Sequence, residues 1–134
     1  MKTAPSSKKH ALRILGIVVV VGVLFAGVAL GAVLWQIHRS VAQCCEMAQL
    51  AHPHPGDDVA ALIDYMGSDK HKLNDRNRAI WALQRLHDPR ALPALQAHYT
   101  GEPCDHVHGL CQYELEKAIK RCGGIPEPPS HAPH

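Results

Sequence analysis

From Ile14 to Trp35 the chain runs for 22 residues without a charge, an Asn, a Gln or a Pro. A helix needs about 20 predominantly apolar residues to cross the hydrocarbon core of a bilayer. A run this long and this pure excludes an ordinary soluble chain and assigns 14–35 to a transmembrane helix. It also exceeds the h-region of a cleaved secretory signal, about 7–15 residues, so the segment reads as a retained signal anchor.

The flanking charges give the helix a direction. Lys2, Lys8, Lys9 and Arg13 precede the span and no acidic residue does, while the 99 residues after it hold ten Lys and Arg against all twelve Asp and Glu. The positive-inside rule then predicts a cytoplasmic segment at 1–13, with the rest of the chain across the membrane. The expected location is the cell inner membrane, single-pass, with a periplasmic C-terminal domain. That domain carries a formal charge of −2 and ten of the eleven histidines, a balance that gives no sign of a polyanion partner, and no nucleic-acid partner is expected. Within the span, Gly27 and Gly31 form a GxxxG pair. Such spacing puts small residues on one helix face and lets two backbones pack closely, so a homodimer through the transmembrane helix is one expected assembly.

Beyond the membrane every periodic signal is helical, and the predicted fold class is all-α. A juxtamembrane helix and linker occupy 36–56, ended by His52-Pro53-His54-Pro55-Gly56, because a residue before proline disfavours the helical region. A repeat domain follows at 57–122, and a tail at 123–134 with four Pro and two Gly is expected to be disordered. The first ten residues are expected to be mobile. In the repeat domain, Asp57 or Asp58 caps a first helix with Val59, Leu62, Ile63 and Met66 inward and Gly67 as a left-handed stop. A second helix begins near Asn74 with Ala79, Ala82, Leu83 and Leu86 inward. Asp88 caps a third that opens on Pro89, buries Leu92, Leu95 and Tyr99, and ends at Gly101. A fourth runs from about Val107 to Cys122, with Cys111, Leu115, Ala118, Ile119 and Cys122 inward and Gly123 as its stop.

These helices repeat. Leu62 corresponds to Leu95, and Ala82-Leu83-Gln84-Arg85-Leu86 corresponds to Ala118-Ile119-Lys120-Arg121-Cys122 at a shift of 36. A period in this range signifies stacked helical hairpins, a short α-solenoid. The stretch from Ala79 to Leu95, with its Ala-x-x-Ala-Leu, Asp-Pro-Arg-Ala and Leu-Pro-x-Leu cadence, resembles a HEAT-like repeat of the bacterial kind named after phycobilisome lyases. The resemblance covers about Asp57 to Cys122. It implies two hairpins and a scaffold for protein contacts; the lyase activity does not carry over, because no further repeats extend the surface.

Trp81 and Arg78 fall outside the apolar stripe of their helix and are the candidate protein-interaction residues, being types that anchor interfaces. All five cysteines lie beyond the span, in a compartment expected to be oxidising. Cys111 and Cys122 share one predicted helix about 16 Å apart, too far for a disulfide, which needs Cα atoms within about 7 Å. Cys104 precedes that helix and lies beside its first turn, so the predicted disulfide is Cys104–Cys111. The same segment offers an alternative: Cys104, His106, His108 and Cys111 are ligand types that suit zinc or copper, in a metal- or redox-linked module. No phosphate-binding glycine loop, Gly-x-Ser-x-Gly or His-Glu-x-x-His occurs, and neither catalysis nor a cofactor is expected. The expected function is that of a membrane-anchored adapter or accessory subunit, its small helical domain contacting another protein, within a membrane complex, outside the cytoplasm.

Overall fold

A computed structural model of the chain describes residues 6–105 and 107–128. The described residues are helical or irregular and contain no strand. They divide into two compact units, the first ending at Arg39 and the second beginning at Ser40. Helix α1 (Ser6–Ala51) supplies nearly all of the first unit and the opening turns of the second. Residues 14–35 are exposed along their whole length, and the helix is long and apolar enough to cross a membrane. At about 1.5 Å per residue those 22 residues rise about 33 Å, close to the hydrocarbon thickness of a bilayer. The helix starts at Ser6, and residues 1–5 of the segment expected to be mobile lie outside the described residues.

The second unit contains α2 (Asp58–Gly67), α3 (Leu73–Leu86), a short 3-10 turn (Pro89–Ala91), α4 (Leu92–Ala97) and α5 (Gln112–Arg121). Helix α3 is central, packed against α2 on one side and α5 on the other, while α4 lies against α5. Leu62, Met66, Ile80, Leu83, Leu95, Leu115 and Ile119 are fully buried between them. Two hairpins leave the first repeat open on its outer side, and the end of α1 closes it. Cys44, Cys45 and Ala48 are buried in the same core, with Val41 and Met47 packed against it. Gln49 Nε2 donates to Asp58 Oδ1 (3.0 Å) at the start of α2 and to the His54 carbonyl (2.9 Å). The Nε2 atoms of His52 and His71 meet at 2.9 Å, fixing the end of α1 to the α2–α3 loop, where the Tyr65 ring stacks on His71.

Local chemistry sets most boundaries. Asp57 caps α2, its carboxylate accepting from the Ala60 N–H (3.1 Å). Gly123 takes a positive φ of 91° at the end of α5, with Gly123 N–H bonded to Lys120 O and Gly124 N–H to Ile119 O, the two bonds of a Schellman stop.

Four expectations need correction. Gly67 is helical and its helix ends at an extended Ser68, so no left-handed stop forms there. Leu86, expected in the core, is 38% exposed; Ile80 fills the core instead, because α3 turns its buried face toward both α2 and α5. The third helix is a 3-10 turn followed by six α-helical residues that stop at Ala97, short of Gly101. Pro93 has no N–H to give to the carbonyl four residues back, so the first turn cannot be regular α-helix. The fourth helix starts at Gln112, five residues later than expected, with Cys111 as its N-cap and Val107 75% exposed. Of the tail, 123–128 are described, with Gln96 Nε2 donating to the Ile125 carbonyl (3.3 Å); residues 129–134, included in the expected disorder, lie outside the described residues.

The Asp-Pro-Arg segment joins the two repeats. The Asp88 side chain accepts from the Arg90 N–H (2.9 Å), and the Arg90 guanidinium reaches both Asp88 and Asp57, the latter at 2.7 Å across 33 residues. One arginine thus links the caps of two successive helical hairpins. The Ala60 N–H and then Arg90 hold the Asp57 carboxyl below the usual carboxylate range, and Arg90 does the same for Asp88. A carboxyl with a depressed folded pKa stabilises the fold above its unfolded value, about 3.9, and loses that contribution as pH falls through the folded value. Arg90→Ala is therefore expected to cost stability at neutral pH, with the gap to the parent chain closing below about pH 4 in urea titrations of the detergent-solubilised protein.

Leu83→Ala is expected to cost about 2–5 kcal/mol in the same titrations, as for other fully buried leucines, and Leu86→Ala well under half as much.

Candidate functional site

Helices α3 and α5 are the second helices of their repeats and lie side by side. A groove of about 160 Å³ runs between them, lined by Trp81, Gln84, Arg85 and His87 from α3 and its cap, and by Lys117 and Arg121 from α5. The 36-residue repeat explains this lining. Trp81 corresponds to Lys117 and Arg85 to Arg121, so each helix presents the same two positions, one turn apart, to the groove. Trp81 is half-buried against the core, and the Arg85 guanidinium lies 5.5 Å from its ring centroid, within cation–π range. His87 ends α3 in the left-handed region at φ 54°, a conformation that lets the chain reverse before Asp88. Gln84 is the polar residue among the buried ones: it is 8% exposed, and its amide makes no hydrogen bond within the described residues but keeps solvent contact at the groove.

The groove is electropositive. Lys117 is held by Glu114 Oε1 at 3.2 Å, and the other oxygen of that carboxylate is buried with no partner among the described residues. Arg85 and Arg121 have no carboxylate partner among the described residues. The remaining basic residues of the two helices do: Arg76 with Asp69, Arg78 with Asp75 and Lys120 with Glu116.

Of the expected interaction residues, the structure places Trp81 in this groove and Arg78 elsewhere. The Arg78 side chain is half-exposed, beside the Cys44 thiol at the end of α1 and 4.0 Å from Asp75. Gln84, Arg85, Lys117 and Arg121 escaped the sequence reading, although the 36-residue correspondence that aligns them was visible. That correspondence sets register; it does not say which face of each helix is left uncovered.

The cysteine loop forms a second cluster. The sulfurs of Cys104 and Cys111 lie 2.8 Å apart as free thiols, with no bond between them in this structure. The loop before α5 folds back on the first turn of that helix, where Tyr113 N–H donates to Cys104 Sγ (3.1 Å) and Cys111 N–H to Asn77 Oδ1 (2.9 Å). Burial and then the neighbouring Cys104 sulfur push the Cys111 thiol up. Cys122 is at the opposite end of α5, its thiol pushed up by burial. For the alternative metal module, His108 is turned to Asp105 (2.8 Å) and is 81% exposed along its side chain, and His106 lies outside the described residues. Among the described residues no three His, Cys, Asp or Glu side chains converge as a metal site. Gly27 and Gly31 sit in the exposed apolar stretch, with open space where a side chain would project.

Residues 75–100, from the first turn of α3 to just beyond α4, match the family described as PBS lyase HEAT-like repeat. No curated protein and no solved structure matches the chain. The stacked hairpins and the matched segment together support a HEAT-like repeat protein, and repeats of this class serve protein–protein interaction.

The placement of the two sulfurs gives the cysteine loop a specific expected product under oxidation. Two-electron oxidation in air should yield a Cys104–Cys111 disulfide, detected as a linked peptide in non-reducing mass mapping and abolished by Cys104→Ser. A Cys104–Cys122 link would require α5 to unwind.

Proposed function

We propose that this protein is a single-pass, membrane-anchored adapter or accessory subunit. Its HEAT-like domain binds another protein on the side of the membrane opposite the N-terminus, the periplasmic side of a bacterial inner membrane. The observation that carries this reading is the covalent union of a 22-residue exposed apolar stretch with a two-hairpin helical domain that keeps one groove open. Solenoids of this kind generally need three or more repeats to cover their own ends. Here α1 covers one side, and the side carrying Trp81 is left to a partner. Arg78, half-exposed beside the end of α1, offers a separate contact point on another face of the same helix. The Gly27–Gly31 face offers a second, intramembrane surface through which two copies pack. The Cys104–Cys111 pair belongs to the oxidising side and closes the loop that precedes α5.

Two measurements test this. Solubilisation of native membranes in mild detergents is expected to recover the chain in a stoichiometric complex with a second protein; a monodisperse monomer throughout would overturn the adapter role. Four native cysteines are buried, so orientation needs an exposed reporter such as Lys70→Cys in a cysteine-free background. A membrane-impermeant thiol reagent is expected to label it from the outer face, and labelling from the cytoplasmic face alone would reverse the topology.

A further inference from the structure

We infer that the α3–α5 groove takes an extended, acidic segment of the partner protein, with carboxylates at alternate positions. This rests on the adapter reading and names the chemistry of its docking site.

Three observations converge. First, of the six basic side chains on α3 and α5, the two without a carboxylate partner among the described residues, Arg85 and Arg121, both line this groove. Arginine presents a planar fork of donors that matches a carboxylate in two-point contact. Second, Gln84 is more than nine-tenths buried, lines the same groove and has no hydrogen-bond partner among the described residues. Its amide atoms keep solvent contact at the groove, where an arriving peptide backbone can replace water with one donor and one acceptor. Third, the rungs Trp81–Lys117 and Arg85–Arg121 are one helical turn apart, about 6 Å. An extended segment lying along the helices places alternate side chains about 6.6 Å apart, close to that spacing.

Size and charge exclude the other occupants. A volume of about 160 Å³ falls well below the roughly 300–1,000 Å³ of small-molecule sites, so the groove takes side chains rather than a cofactor. Nucleic-acid affinity is built from many phosphate contacts, whereas this groove holds three permanent cations in a domain of net negative charge.

The test uses the full chain in detergent with three probes: a fluorescein-labelled peptide of alternating Glu and Ser, its Lys/Ser counterpart, and inorganic phosphate. The Glu/Ser peptide is expected to bind, and the Lys/Ser peptide is not. Binding should weaken about tenfold or more in R85Q/R121Q, the equivalent of losing one charge-assisted hydrogen bond. It should also weaken in Q84L, and survive in K70Q/K72Q, which removes the same charge from the α2–α3 loop. Equal losses in both double variants, no binding of the Glu/Ser peptide, or phosphate competing at the peptide's own concentration would each overturn the inference. Retention of the native complex by R85Q/R121Q would overturn it as well and leave the adapter role standing. Recovery of the parent chain only as a monomer would bring down the adapter role itself.

Discussion

The second unit depends on closing a core that two hairpins cannot close by themselves. Helix α3 buries one face toward α2 and α5, and that arrangement leaves apolar surface at the outer side of the first repeat. The last turns of α1 cover it with Cys44, Cys45 and Ala48, held by the Gln49 contacts to Asp58 and His54 and by the His52–His71 bond. The linker between α1 and α2 is therefore a structural joint. Its two prolines stop α1 where the helix has finished covering the core, and the cap at Asp57 starts α2 immediately afterwards.

The second joint is Arg90. A helical hairpin has no backbone ladder to its neighbour, so hairpin order rests on apolar contact and on a few side-chain links. Arg90 bonds the cap of its own turn and the cap of α2 at once, spanning 33 residues with one side chain. Because it is more than half exposed, its pair energies are screened by water. Geometry is the larger contribution: a planar fork between two carboxylates permits only one relative placement of the two turns.

Against these closed surfaces the α3–α5 groove is the exception. The basic residues that stabilise the domain meet carboxylates and the apolar residues meet one another, whereas Arg85 and Arg121 meet no carboxylate among the described residues. Consistency at every other level makes such a departure informative, since proteins tend to break their local rules where they act on something else.

Much of this was legible in the sequence. The uncharged run, the proline stops, the Asp57 and Asp88 caps, the Gly123 terminus and the 36-residue correspondence are each set by near neighbours in the chain, through hydrogen bonds and backbone restrictions that act over a few residues. The approach of Cys104 to Cys111 needed both the helix rise, which set Cys122 far away, and the expectation that the preceding loop folds back on the first turn of the helix. Tertiary structure decided what depends on facing partners. It left Leu86 exposed and buried Ile80, because a central helix is turned by the packing of both neighbours and not by its own periodicity. It shortened the fourth helix, because the Cys104 loop occupies its start, whereas the irregular first turn of the third comes from Pro93, a local signal in the chain. It also separated Arg78 from Trp81, three residues apart on one helix, by turning the first toward the end of α1 and leaving the second in an open groove. Periodicity says which residues share a face; only the neighbouring helices determine which face remains uncovered.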